Sequence, residues 1–478
     1  MAGLLTDLKL SSSALGAQQM GIQVTGNNLA NVNNANYARQ SVVTGTTGVM
    51  ETPIGEQSMG VTVTGVTQSR DPFLDAQVNS ETAQSSLLQA QDTQLLQAQA
   101  NLGEQVSSST GTSSITDPSQ ATDGVSSALD NFFNAFTNLA ANPSDSGAKD
   151  TVYQTAGTLA STINNVYTQL GTLQTNIGSQ ITQDTSSANS LLKNIATLNQ
   201  QIQQYQVQTP NSTANDLIDQ RQADLQQLAG YMNFTTSPIP NSNGQIEVTT
   251  LDANSNPVTL VDKATASTVA FNGSSFTVGS SVLGLTGGSL QGNLSASTGP
   301  IQQLMDSLST TASQITSAVN AQYNPSGATG NFFATSQSSG LASGNLINLD
   351  SSLTENTVSA TTTGVSGANE AAVNVANVAT QNFTTSDGFT GTIGQYYSKG
   401  VTSLGESIDG VQSQLSDQNT VLTMVTQQQS SQSGVNEDEE VTNLMGYQRA
   451  FQAQAQVVST LNTMLDVVVS GIFGGTMN

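Results

Sequence analysis

The two ends of this chain constrain it most. Each carries a long apolar seam that a single helix cannot bury. From Ser433 to Ile472 one row holds Val441, Gln448, Ala455, Asn462 and Val469, and a second holds Leu444, Phe451, Val458, Leu465 and Ile472. This is the a/d spacing of a coiled-coil seam, kept for about five heptads. At the other end Leu5, Ser12, Gln19 and Gly26 form one row and Leu8, Leu15, Ile22 and Leu29 the other, for about four heptads. Each stripe needs a partner, and the two together predict that the ends of the chain pair as a helical hairpin. Gln19, Gly26, Gln448 and Asn462 interrupt the seams, so the pairing is weak in isolation and gains register at a cost in stability. Two ordinary core-facing helices would give the same pattern; a long and different middle between them favours the closed pair. Asn436 is suited to cap the last helix, with Glu439 placed to complete a capping box. Glu437, Asp438 and Glu440 add negative charge where the helix dipole favours it, and Gly471, Gly474 and Gly475 are expected to end the helix.

Between the ends the pattern changes several times. The asparagine-rich run Asn31–Asn36 breaks helix. Ser41 to Thr67 reads as short β pieces such as Val61-Thr62-Val63. A helix is predicted from about Asp71 to Asn101, and the Ser/Thr/Gly run Ser107–Ser114 reads as a loop. Val125, Leu129, Phe132, Phe133, Phe136 and Leu139 give a short helix with an aromatic face meant for a core. Asn142-Pro143-Ser144-Asp145 stops it and caps the next. That next helix is the longest periodic segment. Val152, Ala156, Leu159, Ile163, Val166, Leu170, Leu173 and Ile177 keep three-four spacing, and Ala188, Leu191, Ile195, Leu198, Ile202 and Tyr205 resume it. Gly171 and Gly178 are the places for a bend, and Pro210 for the end. Strand signals then run from Tyr231 to about Leu294, with hairpin turns at Asn243-Gly244 and Asn272-Gly273. Helix returns at Ile301, and Asn324–Asp350 is irregular. A short helix is expected over Glu370–Thr380, and the last long helix carries Val401 to Val425.

The fold class is therefore mainly α with a β-rich insertion: terminal helices paired as a coiled coil, a long-helix bundle domain and a central β module. The expected boundaries are nested. Residues 1–33 and 436–478 form the terminal coiled coil, 34–230 and 300–435 the long-helix bundle with irregular segments, and 231–299 the β-rich insertion.

Composition excludes most chemistry. Among 478 residues there are 33 acids, 9 bases and no Cys, His or Trp, for a net charge of −24. A basic footprint for nucleic acid is missing, and an anionic membrane would repel this surface. Zinc sites of the Cys/His type and histidine-assisted nucleophiles are ruled out. No run of about 18 apolar residues suggests a membrane span. Met1–Leu10 lacks the pattern of a cleaved leader, so the chain is expected in the cytosol or to be exported without one. The acidic quartet Glu437–Glu440 could hold a hard cation, but a first helical turn explains it without one. Asp216, Asp219 and Arg221 read as helix capping with a local ion pair. Gly284-Leu285-Thr286-Gly287-Gly288 lacks the Lys-Ser/Thr of a phosphate loop. No catalytic residue, cofactor or metal ligand is expected.

Two stretches carry a resemblance. Asn27-Asn28-Leu29-Ala30-Asn31 through Tyr37-Ala38-Arg39-Gln40 resembles the N-terminal signature N-N-I-A-N-x-N-T-P-G-Y-S-R-Q of bacterial flagellar rod, hook and hook-associated proteins. Ser433-Gly434-Val435-Asn436-Glu437-Asp438-Glu439-Glu440, with Asn443-Leu444, Tyr447-Gln448 and Ala450-Phe451-Gln452-Ala453, is similar to their C-terminal signature. The pattern S-G-V-N-x-D-E-E points to the branch at the hook–filament junction. Asn142-Pro143-Ser144-Asp145, Asn215–Arg221 and Asn331-Phe332-Phe333 are similar to that branch too, while the β region carries no such motif. Asn34-Ala35-Asn36 departs from Thr-Pro-Gly, and Asn36 is expected to take the left-handed backbone of the glycine.

The resemblance implies a structural adapter outside the cell, exported through the flagellum's own channel. It implies assembly through the terminal seams (Leu5, Leu8, Leu15, Ile22, Leu29, Val441, Leu444, Phe451, Val458, Leu465, Ile472) into a ring of about eleven copies. The partners implied are the hook protein, hook-associated protein 3 and a flagellar export chaperone, with no nucleic acid and no membrane. A hook or rod protein, hook-associated protein 3 itself, or a secreted adhesin that uses the helical stem only for display are the alternatives.

Overall fold

The computed structural model describes residues 2–46, 48–52, 55–58, 60–103, 124–209, 213–326 and 330–473. The expected loop at Ser107–Ser114, the stop at Pro210 and the glycines at 474 and 475 lie outside the described residues. Ten α-helices dominate the described chain, with small antiparallel sheets between them.

The chain folds as two compact units. The first comprises Met1–Ser85, Thr185–Gly288 and Gln418–Asn478, the second Ser86–Asp184 and Ser289–Asp417. Helices α2 (Pro72–Leu102), α4 (Ser146–Gln208) and α9 (Ile393–Ser433) supply residues to both.

In the first unit α1 (Ala2–Ala30) packs on α10 (Glu437–Phe473), which realises the predicted pairing of the ends. Strands β1 (Gln40–Thr46) and β4 (Val61–Gln68) form an antiparallel ribbon against α1, extended by the hairpin of β2 (Val49–Thr52) and β3 (Gly55–Ser58). The β module follows the short helix α5 (Asn215–Tyr231). Its first sheet has the order β5 (Thr235–Pro238), β6 (Ile246–Leu251), β7 (Pro257–Asp262), β8 (Thr265–Ala266). Its second has β9 (Val269–Phe271), β10 (Phe276–Val278) and β11 (Ser281–Val282). Both Asn-Gly turns fall between strands, and Asn243 and Gly244 each take positive φ, as such a turn requires.

In the second unit α3 (Val125–Ala141) lays its predicted aromatic face into the core. Phe132, Phe136, Phe332, Phe333 and Tyr323 bury almost all their surface against one another, with ring centroids such as Phe132–Phe136 at 5.2 Å and Tyr323–Phe332 at 5.1 Å. Edge-on aromatic pairs of this kind add about 0.5–1.5 kcal/mol beyond their burial. Asp145 caps α4 by accepting the Gly147 N–H at 3.0 Å, and α4 runs through Gly171 and Gly178 without interruption. α6 (Ser289–Ala296), unseen in the sequence, is joined by a kinked segment (Ser297–Ile301), with Gly299 in non-helical backbone, to α7 (Gln302–Tyr323). Pro300 sits in that segment, where a missing N–H and a fixed φ break the regular ladder. The short helix α8 (Glu370–Val378) lies where expected, and β12 (Phe383–Thr384) and β13 (Thr390–Gly391) make a small hairpin before α9.

Candidate functional site at the junction of the terminal motifs

The two signature stretches meet in the first unit. Asn28, at the end of α1, is 1% exposed. Its amide nitrogen donates to the Gln40 carbonyl at 2.9 Å and to Glu440 Oε2 at 3.0 Å. Its oxygen accepts the Tyr37 hydroxyl at 2.8 Å and the Gln40 N–H at 3.0 Å. Arg39 Nε donates to Glu440 Oε1 at 2.7 Å and its Nη2 to Glu439 Oε1 at 2.7 Å. The Arg39 N–H bonds the Ser433 carbonyl at 2.8 Å. Thus the N-terminal Asn…Tyr…Arg-Gln and the C-terminal Ser…Glu-Glu are two halves of one hydrogen-bonded junction.

A second cation completes it from below. Arg70 binds Asp75 at 2.9 Å, Asp219 at 2.7 Å and the Asn36 carbonyl at 2.9 Å, and Gln429 donates to Asp75 at 2.6 Å. Gln40 reaches Asp216 at 3.2 Å. A polar recess of about 170 Å³ lies beside Arg70 and Ser433. Arg70 Nε and Ser433 Oγ are buried without a protein partner.

The electrostatics follow from burial and neighbours. Burial and the carboxylates of Asp219, Asp216 and Glu440 push the Tyr37 hydroxyl well up, so it stays a donor to Asn28. Burial would lower Arg39, yet its bonds to Glu439 and Glu440 hold it above its ordinary value. Asp219 is raised because burial outweighs Arg70. Arg221, buried and near Arg70, is pulled down to about 10.

Three local expectations are corrected here. Asp219 pairs with Arg70, so the ion pair with Arg221 does not form; Arg221 instead donates to Asn199 Oδ1 and the Gly244 carbonyl, both at 2.8 Å. The cap of α10 is one-sided: the Glu439 N–H bonds Asn436 Oδ1 at 3.2 Å, but the Glu439 side chain is drawn to Arg39. Asn36 keeps negative φ. The turn is instead an Asx turn, in which Asn34 Oδ1 accepts the Asn36 N–H at 3.2 Å.

The seam residues fall into distinct environments. Leu8, Leu15, Ile22 and Leu29 of α1 are half-buried and Leu5 is exposed; the fully buried positions are Ser11, Ala17, Gly21, Val24, Thr25 and Asn28. On α10 Leu444, Phe451, Val458 and Leu465 are half-buried, and their companions are Tyr447, Leu461 and Val468. Val441 is exposed, as are Gln448, Asn462 and Val469 of its row. The Ile472 side chain lies outside the described residues. Sequence reasoning did not single out Arg70 or Asp75. Arg70 had a signal, since in a chain with 9 bases each one is a candidate for a specific anion.

Among the described residues no cluster of His, Cys, Asp or Glu is arranged to hold a metal ion, and no helix is long and apolar enough to cross a membrane.

Comparison with known proteins gives concordant matches. Residues 113–333 match the family described as flagellar hook-associated protein FlgK helical domain, and residues 426–470 the flagellar basal body rod FlgEFG protein C-terminal family. The flagellar hook-associated protein 1 of Bacillus subtilis (strain 168) is 25% identical over 99% of both chains. That of Salmonella typhimurium (strain LT2) is 26% identical over 44% of this chain and 35% of its own length. The flagellar hook junction protein FlgK from Burkholderia pseudomallei superposes on 55% of this chain and 47% of its own with a TM-score of 0.45 and 26% identity. With both end motifs interlocked, the helical middle matched, and one relative similar from end to end, the chain is similar along its whole length to flagellar hook-associated protein 1.

Proposed function

We propose that this chain is a structural adapter joining hook to filament, and that it assembles as a ring of copies through its terminal helix pair. The observation that carries the reading is the unfinished burial of that pair. α10 presents Val457, Met464 and Val467 to solvent at 46%, 49% and 66% exposure. Their spacing of seven and three places them on one side of the helix. Leu5, Val441 and Val469 are exposed as well. A helix pair with apolar residues both between its members and outside them is suited to a packed tube, where neighbours cover the outer row. The seam residues half-buried in the single chain would fix the hairpin, and the exposed ones would meet the next copy, the hook protein or hook-associated protein 3. Export would use the flagellum's own channel and a chaperone. The match of the last helices to rod proteins favours a general axial role for this end, so the choice of the junction rests on the middle of the chain.

The test is a pair of substitutions on the outer row. Val457→Asp and Val467→Asp change exposed positions, so circular dichroism melting should stay within a few degrees of the parent. Co-sedimentation with isolated hooks should be lost, because a charge in a dry interface costs about 2–4 kcal/mol per copy. Wild-type co-sedimentation of both variants would eliminate the assembly role of this face.

A further inference from the structure

Five helix-borne asparagines hold non-helical chain in the same way. Each donates its amide to the carbonyl of one residue and accepts that residue's N–H. Asn189 does so to Val269, both bonds at 2.8 Å. Asn320 clamps Phe333, both at 2.8 Å. Asn199 clamps Ile246 at 2.8 and 3.3 Å, and Asn164 clamps Ile347 at 2.7 and 3.3 Å. Asn28 clamps Gln40 at 2.9 and 3.0 Å. One side chain thus supplies the pair of bonds that a neighbouring strand would give.

Asn28 differs from the other four. The remaining bonds of Asn164 and Asn320 go to the segment they already hold, and those of Asn199 to Lys263 and Arg221. The second amide hydrogen of Asn28 goes instead to Glu440 of α10, and its second lone pair to Tyr37. Both donors and both acceptor sites are then in use. Reversing the amide would set its NH₂ against the Gln40 N–H and its oxygen against the Glu440 carboxylate, so the orientation is fixed.

Glu440 is unusual in its own helix. Among the described side chains of α10 it alone is buried, at 2% exposure. The groups that stabilise its desolvated carboxylate are Asn28 of α1 and Arg39 of the Tyr37–Gln40 segment. A buried charge is tolerable only while such partners are in place.

We propose that Asn28 is a relay latch. Docking of α10 through Glu440 and closure of the Tyr37–Gln40 segment onto α1 are a single cooperative event, while the other four clamps open and close without reference to the C-terminal helix. Because coupling between two binding events is reciprocal, loosening either side loosens the other.

Amide hydrogen exchange on the full-length chain, read at single residues, tests this with three variants. In Glu440→Ala the Arg39 and Gln40 amides should exchange at least tenfold faster, while those of Ile246, Val269, Phe333 and Ile347 keep parental rates. In Asn28→Ala the first turns of α10 should exchange at least tenfold faster, although no residue of α10 has been changed. In Asn189→Ala the Val269 amide alone should open, with Gln40 and α10 at parental rates. The other four clamps report in every sample whether the rest of the protein has folded. Unchanged Gln40 exchange in Glu440→Ala, or unchanged α10 exchange in Asn28→Ala, overturns the relay. Loosening of all five clamps together in Glu440→Ala overturns it as well, since Glu440 would then belong to the global fold.

Discussion

At Gly21 the absence of a side chain decides how the terminal helices fit. A Cβ built there would lie 2.6 Å from the Tyr447 ring, so the glycine is the hole that receives this knob and fixes the register of α1 on α10. Gly21→Ala should therefore loosen the pair by about 1–3 kcal/mol, although alanine favours helix. In a Tyr447→Ala background the same change should instead stabilise it, by up to about 1 kcal/mol. Urea denaturation of the four proteins in this cycle measures the coupling. Glu370 gives a second residue-scale prediction. Hydroxyls of Thr361 and Thr363 donate to its carboxylate at 2.6 and 2.8 Å. The Thr361 bond first, then its own backbone and Thr363, bring its pKa from 4.5 to about 2. The folded-state pKa is depressed, so the contribution is fully present above about 4.5 and lost as pH falls through about 2. The carboxyl carbon resonance should titrate near 2, and Thr361→Val should move the midpoint upward. The sequence disclosed the roles of individual residues unevenly. The end motifs pointed to Asn28, Tyr37, Arg39 and Glu440, but that these four touch is a consequence of folding that no spacing encodes. The asparagine clamps stayed hidden because an asparagine within a helical period reads as an exposed polar residue.

For whole elements, periodicity was the reliable signal where one face dominates. α2, α3, α4, α8 and the strands of the β module lie close to where alternation and three-four spacing put them. It failed where the element is short or interrupted, as in α6 before Pro300 and the hairpin of β12 and β13. In α10 the row of Leu444, Phe451, Val458 and Leu465 is half-buried. Its half-buried companions are Tyr447, Leu461 and Val468, one residue before the row of Gln448 and Asn462. Both rows satisfy three-four spacing against the first, and a helix with apolar residues on several sides leaves the choice to its neighbour. A prediction belongs to this element. α4 buries Ile177, Ile181, Ala188, Leu192, Ile195 and Ile202, whereas α10 buries Glu440 alone among its described side chains. In the monomer, amides of 447–468 should therefore exchange at least a hundredfold faster than those of 177–202. They should slow on binding to hooks. Equal protection in a proven monomer would contradict this account of α10.

Across the whole molecule, polarity comes from amides and hydroxyls. Only 9% of residues are charged, yet the net charge is −24. The segments between helices are closed by Asn164, Asn189, Asn199 and Asn320, all neutral. Neutral hydrogen bonds do not weaken when counter-ions crowd in, whereas repulsion among surplus carboxylates does. The range of that repulsion shrinks from about 30 Å at 0.01 M to about 3 Å at 1 M salt. Thermal unfolding should accordingly hold steady or rise with sodium chloride over this range, and a falling midpoint would mean that ion pairs carry more of the fold than these clamps do. A chain closed by amides in this way would keep its shape in fresh water and in brine alike.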